Sequence, residues 1–195
     1  MTKQSPIISY CDYISNLDKN NIHKVYHDNE YGFPIQDDNE LFGRLILEIN
    51  QAGLSWETIL KKQSNFRVAF SKFDIKKIAK YDDIEINRLL SDRSIIRNKL
   101  KIRSIIFNAK QVISIQRKFG SLQNWLNNNK TKTIDEWIAL FKITFKFTGR
   151  EITKEFLLST GLLKGAHTEN CPINNKIQKI ILATDINSLF FLSNI

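Results

Sequence analysis

The stretch LFGRLILEINQAGLSWETILKK, residues 41–62, decides the fold and places one carboxylate where a helix should be apolar. Leu41, Leu45 and Glu48 recur at helical spacing, so they share one face of a helix with 3.6 residues per turn. An isolated carboxylate on such a face is costly unless a neighbour or a ligand satisfies it. Trp56 follows a Gly-Leu-Ser break that is typical of a turn between two helices. A buried acid beside an aromatic ring is the composition of a pocket for a flat, hydrogen-bonding or cationic guest.

Composition and charge bound the class of protein. The chain has 195 residues, of which 42% are apolar, so we expect a buried core and a single domain over residues 1–195. The formal net charge is +9 and the sequence pI is about 9.5. Nucleic acid is the first partner that this charge suggests. An ordinary basic protein rich in lysine, asparagine and isoleucine is the alternative.

The cysteine content and the hydropathy pattern indicate the compartment. Cys11 and Cys171 are too few for the disulfide framework of a secreted domain. No apolar run reaches the roughly 18 residues that a membrane span needs, and the N-terminus lacks the apolar stretch of a signal peptide. We therefore expect a cytoplasmic monomer with no membrane partner, in which both thiols stay reduced.

Helical periodicity dominates the chain, and the scarcity of turn residues (7 Gly and 3 Pro) argues against hairpins of strands. The sequence therefore predicts an all-α fold. Asp37, Asp38 and Glu40 supply capping chemistry for the helix that carries Glu48. Further helices are predicted from Ser55 to Lys62, over residues 75–80, from Asp82 or Asp83 to Leu90, from about Arg97 to Lys118, from Ser121 to Leu126, from the Thr133-x-x-Glu136 capping box to Phe141, from the turn at Gly149 to Gly161, and over residues 182–195 as a terminal helix docked on the core.

Two cysteines and two of the three histidines form a candidate zinc site. Cys11 and His27 lie near the N-terminus, and His167 and Cys171 form a His-x3-Cys pair near the C-terminus. Zn²⁺ prefers four such ligands in a tetrahedron, and a site closed by four protein groups is structural. The spacing alone leaves open two buried thiols and two surface histidines.

Two basic features are candidates for phosphate contact. A glycine turn at Gly149 feeds a helix start, where backbone N–H groups and the helix dipole favour an anion. Lys142, Lys146, Arg150 and Lys154 surround this turn. A plain turn between helices is the alternative. The predicted helix 97–118 carries seven basic residues and no acid, which fits phosphate contact or a solvated basic face equally well.

Six sequence blocks carry a resemblance to a known family. They are YHDNEYGFP (26–34), LEINQAGLSWETILKK (47–62), IIRNKLKI (95–102), FKFTG (145–149), FLLSTGLL (156–163) and HTENC (167–171). In this order, over about residues 8–175, the chain resembles the 3-methyladenine DNA glycosylase I family of the helix-hairpin-helix glycosylase superfamily. The tail 176–195 has no counterpart.

The resemblance implies a fold, a metal and a base pocket. The implied fold is a helix-hairpin-helix glycosylase-like domain, stapled between its N- and C-terminal regions by one structural Zn²⁺. The family's zinc ligands fall on the two cysteines and two histidines already singled out. Its base-recognising glutamate falls on Glu48, its hydrogen-bonding tyrosine on Tyr26 and its stacking tryptophan on Trp56, and Tyr13 stands at a further aromatic position.

The implied activity is hydrolysis of the N-glycosidic bond of 3-methyladenine in double-stranded DNA, after the base is flipped out. The expected DNA contacts are Thr148, Gly149 and Arg150 at the hairpin and Gly53 and Leu54 at a turn that fills the gap. Bifunctional members of the superfamily place a lysine where this chain has Glu151. A monofunctional enzyme is therefore expected, because a lyase needs an amine nucleophile.

Three departures from the family pattern keep two other functions open. Tyr13 and Tyr31 stand where the family has tryptophans, and His23 stands at a tyrosine position. A DNA-binding module without enzymatic activity is one alternative, and an alkylpurine glycosylase with broader lesion choice is the other.

Overall fold

The computed structural model describes residues 9–192, with side chains described through residue 182, and every regular element in that range is helical. The all-α prediction is thus confirmed. The helices are α1 Tyr10–Ser15, α2 Ile22–Asn29, α3 Asp38–Gln51, α4 Trp56–Leu60, α5 Gln63–Ala69, a 3-10 helix Ser71–Phe73, α6 Ile75–Ile78, α7 Asp83–Ser91, α8 Lys99–Phe119, α9 Leu122–Asn127, α10 Ile134–Thr144, α11 Arg150–Ser159 and α12 Pro172–Leu192. No described helix is both long enough and apolar enough to cross a bilayer.

The predicted helix starts are confirmed by their caps. The Asp37 carboxylate accepts from the Glu40 amide at the start of α3, and the Ser55 hydroxyl accepts from the Thr58 amide at the start of α4. A complete capping box opens α10. Side-chain oxygens thereby satisfy amides that the first turn of a helix leaves without partners.

Several elements differ from the prediction. The short helices α1 and α2 were missed, although Ser9 and Asn21 cap them. The predicted helix from Ser55 to Lys62 is confirmed as α4 but ends at Leu60, and α5 and the 3-10 helix that follow it were missed. The last helix begins at Pro172, ten residues earlier than predicted, because proline suits the first helical position. The predicted docking of residues 182–195 lies almost wholly outside the described side chains.

Helix α3 runs through the middle of the core. Its residues from Leu41 through Asn50 are all buried, so it is enclosed on every side rather than only on the face read from the sequence. It contacts α4, α5, α8, α9 and α11. Any polar side chain on α3 must therefore find its partners inside the protein.

Two close approaches fix the neighbours of α3. A Cβ atom at Gly43 would lie 2.3 Å from a ring carbon of Phe73, so only glycine lets this ring rest on the helix. Gly161 ends α11 with φ of +71°, and a Cβ there would lie 2.7 Å from the carbonyl oxygen of Gly32. The amide of Gly32 also donates to the carbonyl of Ser159 at 3.0 Å. These contacts place the end of α11 beside Glu48.

Candidate active site and metal centre

A cleft of about 490 Å³ brings together the sequence-predicted residues Glu48, Tyr26 and Trp56. It lies where α2, α3, α4 and α11 meet. Its other lining residues are Tyr10, Tyr31, Gln51, Glu151 and Glu155. Three tyrosines, one tryptophan and three acids therefore share its walls, and none of the described lining residues is a cation.

Glu48 is the buried acid of this cleft, with only 3% of its surface exposed. Its Oε1 accepts a hydrogen bond of 3.2 Å from the Ser159 hydroxyl, and Oε2 has no partner among the described residues. Burial raises the pKa of Glu48 to about 8, opposed by the Arg44 guanidinium and reinforced by the charge of Glu155. With that pKa, the protonated form of the Glu48 carboxyl is favoured near neutral pH.

Aromatic rings line the cleft opposite this acid. The Tyr26 and Trp56 ring centroids are 5.2 Å apart with planes at 60°, and those of Tyr26 and Tyr31 are 5.7 Å apart at 43°. The indole N–H of Trp56 is buried and has no hydrogen-bond partner among the described residues. Such an orphan donor costs roughly 1–3 kcal/mol.

The buried guanidinium of Arg44 donates a hydrogen bond to the hydroxyl of Tyr26. Nη1 of Arg44 donates to the Tyr26 oxygen, and the guanidinium carbon lies 5.0 Å from the centroid of the Tyr26 ring. Nη2 of Arg44 lies 3.3 Å from Glu30, which also accepts from Gln63 at 2.7 Å. Sequence analysis missed Arg44, although its position one turn before Glu48 was a usable signal.

Tyr13, expected in the pocket, does not line the cleft. Its side chain is 50% exposed and stacks on Tyr10, with ring centroids 6.2 Å apart. Tyr10 lines the cleft in its place, and its hydroxyl lies 3.0 Å from Nδ1 of His23. Tyr10 could not be chosen from the sequence because helix α1 had not been predicted.

The four predicted metal ligands converge on one buried point. The ligand atoms of Cys11, His27, His167 and Cys171 lie within 4.8 Å of one another. The nitrogen–nitrogen and nitrogen–sulfur separations among them run from 3.0 to 3.8 Å. A tetrahedral zinc ion with bonds of about 2.0–2.3 Å places its ligand atoms about 3.3–3.8 Å apart, so the cluster can hold a metal of that kind.

The outer partners of both histidines fit this interpretation. Nδ1 of His27 lies 2.7 Å from a carboxylate oxygen of Asp28, and Nε2 of His167 lies 2.7 Å from the carbonyl oxygen of Tyr31. Because these oxygens accept, the outward nitrogens carry the hydrogens and the inward nitrogens keep free lone pairs. The amide of Thr168 also points at the Cys11 sulfur, at 3.4 Å.

The hairpin between α10 and α11 is an ordered and strained turn. Phe147 has φ of +61°, which is uncommon for a residue with a side chain. The side chain of Asn108, fully buried on α8, accepts from the Lys146 amide at 2.8 Å and donates to the Lys146 carbonyl at 3.0 Å. Asn108 thus holds the turn, and sequence analysis had not singled it out.

The expected DNA-contacting residues of the hairpin occupy different environments. The Thr148 hydroxyl is buried and donates to backbone carbonyls within the hairpin, so only its backbone is available. Gly149 begins α11 without a side-chain cap, and a Cβ there would meet nothing within 4 Å. Arg150 is exposed and pairs with Asp135 at 2.6 Å. The open helix start and the exposed cation are the two features that suit a phosphate.

The turn at Gly53 and Leu54 lies beside the cleft. Gly53 has φ of +81°, and Leu54 is 38% exposed. Nζ of Lys101 donates to the carbonyls of Asn50 and Ala52 at 2.9 and 2.8 Å, so this buried lysine supports the turn. Lys101 is one of the seven basic residues of the helix predicted over 97–118, which were interpreted as phosphate contacts or as a solvated face. Its burial contradicts both interpretations.

Comparisons with known proteins identify the family of the chain. The family model described as methyladenine glycosylase matches residues 16–138. DNA-3-methyladenine glycosylase 1 of Escherichia coli (strain K12) is 34% identical over 166 residues, which cover 75% of this chain and 88% of the relative. The chain belongs to the methyladenine glycosylase family.

Two solved structures have a fold similar to that of this methyladenine glycosylase. A crystal structure of 3-methyladenine DNA glycosylase I matches with a TM-score of 0.73 and 31% identity, over 81% of this chain and 97% of that chain. A tyrosine-to-phenylalanine variant of 3-methyladenine DNA glycosylase I, in complex with 3-methyladenine, matches with a TM-score of 0.72 and 28% identity, over 80% of this chain and 94% of that chain.

Proposed function

We propose that this methyladenine glycosylase acts in DNA base-excision repair and hydrolyses the N-glycosidic bond that joins 3-methyladenine to deoxyribose. The observation that carries this function is the buried carboxyl of Glu48 inside an aromatic cleft. A base in a duplex cannot reach such a cleft, so the nucleotide must first be flipped out. Flipping costs a few kcal/mol, and less for a damaged pair.

Charge explains how the cleft selects its base. Methylation at N3 makes adenine cationic within the nucleotide and turns it into a good leaving group. The cation drives the proton off Glu48, whose pKa is about 8 in the empty cleft, and the resulting carboxylate accepts from the exocyclic amine. Ordinary adenine offers the amine without the charge. Discrimination is therefore electrostatic, because only the cationic base offsets the cost of ionising the buried Glu48.

The aromatic residues orient the base while water attacks the sugar. Trp56 stacks on the ring, Tyr26 hydrogen-bonds to it, and Tyr13 supports Tyr10 from outside the cleft. Glu151 lines the cleft at the position where bifunctional members have a lysine. Because the described lining residues offer no amine, the proposed enzyme is monofunctional.

The proposed partner is double-stranded DNA containing alkylated adenine, bound by one copy of the chain. Gly149 and Arg150 contact the backbone through the open start of α11, and Thr148 contributes its backbone. Gly53 and Leu54 fill the gap left by the flipped base. The net charge of +9 supplies the salt-dependent part of the affinity.

The proposed metal is one structural Zn²⁺ held by Cys11, His27, His167 and Cys171. Four protein ligands leave no open position for a catalytic water, so the ion ties the two ends of the chain together. A reducing compartment, the cytoplasm, suits a site whose two thiols must stay free of disulfides.

The test is release of free bases from methylated duplex DNA, resolved by chromatography, for the wild type and for Glu48→Gln. Release of 3-methyladenine by the wild type, strongly reduced in the variant, supports the proposal. No released base from protein that still binds duplex DNA would indicate a DNA-binding module. Comparable release of 3-methylguanine or 7-methylguanine would indicate the broader enzyme.

A further inference from the structure

The buried guanidinium of Arg44 lies behind the base cleft and outside it. Arg44 stands one helical turn before Glu48 on α3 and is 6% exposed. It does not line the cleft, but it donates to the hydroxyl of Tyr26, a residue that does line the cleft. On its other side Arg44 lines a second cleft of about 360 Å³, together with Glu30 and Gln63.

The chemistry of the two groups fixes the direction of their hydrogen bond. A guanidinium has five N–H donors and no acceptor, so Tyr26 must receive this bond on its oxygen. The Tyr26 proton is then left for another acceptor, and no described side chain or backbone group accepts it. A buried hydroxyl proton without a described acceptor, on a residue that lines the cleft, is a candidate donor to a ligand.

We propose that Arg44 is a positioning residue that holds Tyr26 as a hydrogen-bond donor to the flipped base. The inference rests on the proposed function and deepens it. In adenine, both ring nitrogens beside the exocyclic amine, N1 and N7, are acceptors, whereas N1 of guanine carries a hydrogen. A tyrosine free to rotate could serve either base. Arg44 occupies the acceptor side of Tyr26, so the hydroxyl offers the base its proton, which N1 or N7 of adenine can accept.

The buried charge of Arg44 would repel a cationic base if it stood alone. Glu30 offsets it from the side away from the base, at 3.3 Å, and Gln63 keeps Glu30 in place at 2.7 Å. The base therefore meets a neutral pair behind Tyr26 and the acid Glu48 in front. Because Glu30 offsets its charge, Arg44 can donate to the Tyr26 hydroxyl without repelling a cationic base from the cleft.

A double-mutant cycle on Arg44 and Tyr26 tests the inference. The variants are Arg44→Met, Tyr26→Phe and the double variant, and the measurement is calorimetric titration with free 3-methyladenine. With Tyr26 present, we expect Arg44→Met to weaken binding of free 3-methyladenine about five- to tenfold. In the Tyr26→Phe background we expect a clearly smaller loss, because the hydroxyl is gone and only the effect of the Arg44 charge on Glu48 remains.

Matched variants separate this role from plain structural support. Arg67 lines the same second cleft and pairs with Glu40, but it does not reach Tyr26. We expect Arg67→Met to keep wild-type affinity. Arg44→Lys, which keeps a donor and a charge, should recover part of the loss. It also serves for the cycle if Arg44→Met fails to fold in urea-unfolding controls.

The outcomes distinguish a failure of the role proposed for Arg44 from a failure of the proposed glycosylase function. Equal affinities of wild type and Arg44→Met, or losses that add fully in the double variant, would overturn the role of Arg44 while leaving the glycosylase function intact. A wild type that neither binds 3-methyladenine nor releases it from methylated DNA would overturn the proposed function itself, and the inference with it.

Discussion

The Ser159 hydroxyl on α11 lies 3.2 Å from Oε1 of Glu48 on α3, and it is the one described donor to that buried carboxyl. Its single proton is shared with the carbonyl of Phe156, also at 3.2 Å. One shared hydrogen bond offsets only part of the cost of burying a charge. Glu48 therefore favours its protonated form, and a cationic ligand in the cleft favours its ionised form.

Replacing Glu48 with glutamine should weaken binding of free 3-methyladenine by roughly 10- to 100-fold. The amide keeps the shape of the side chain but cannot become an anion, so the charge-assisted bond to the exocyclic amine is lost. Calorimetric titration measures the effect. As a control, Glu151→Gln makes the same change on an exposed acid of the cleft and should cost much less. Equal affinities of wild type and Glu48→Gln for free 3-methyladenine would contradict the role of Glu48 as acceptor for the exocyclic amine.

The stability of the protein should depend on pH through Glu48. Burial raises the pKa of this carboxyl from 4.5 to about 8, so the native state binds the proton more tightly than the unfolded chain. That stabilisation is complete below about pH 4.5 and is lost as the pH rises through about 8. Relative to Glu48→Gln, the wild type should lose about 3 kcal/mol between pH 6 and 9.

Urea unfolding of both proteins at several pH values checks this dependence. All other titrating groups are common to the two proteins and cancel in the difference. If the two stability curves run parallel from pH 6 to 9, Glu48 is already ionised in the native state, and the release of its proton on ligand binding must be abandoned.

Loss of one thiol should empty the metal centre. Cys171→Ser is expected to reduce the zinc content from one ion per chain to near zero, and to lower the melting temperature by about 10 °C. Metal analysis by mass spectrometry and thermal unfolding measure the two effects. His23→Gln is the control, since His23 bonds to Tyr10 outside the cluster and should retain the ion. Full zinc content in Cys171→Ser would disprove the ligand set.

Asn108 should affect DNA affinity without affecting the base cleft. Asn108→Ala removes both hydrogen bonds to the Lys146 peptide and frees the strained turn at Phe147. We expect duplex affinity to fall about five- to tenfold at fixed salt, measured by fluorescence anisotropy. Affinity for free 3-methyladenine should stay unchanged, because Asn108 is not part of the cleft.

A second asparagine provides the matched control for the hairpin. Asn124 is exposed and donates to the carbonyl of Phe119 at the end of α8, away from the turn. Asn124→Ala should leave duplex affinity at the wild-type value. A uniform fall in both duplex and free-base affinity in Asn108→Ala would mean general destabilisation instead of a hairpin effect.

Local patterns in the sequence determined much of the fold. Side-chain caps such as Asp37 and Ser55 act within three residues, so they could be read directly, and the starts of α3 and α4 followed from them. The metal ligands could be proposed because two cysteines and three histidines leave few combinations. Glu48 stood out because a single acid broke an apolar helix face.

Tertiary structure alone decided which side chains complete the cleft. Tyr10, Ser159 and Glu155 come from α1 and α11, and nothing in their spacing relates them to Glu48. The same holds for Lys101, whose ammonium is buried against carbonyls about fifty residues away in sequence. Caps and periodicity are set by near neighbours along the chain. The pKa of a carboxyl, the direction of a hydroxyl and the burial of a lysine are set by neighbours in space, which only the packing of the helices supplies.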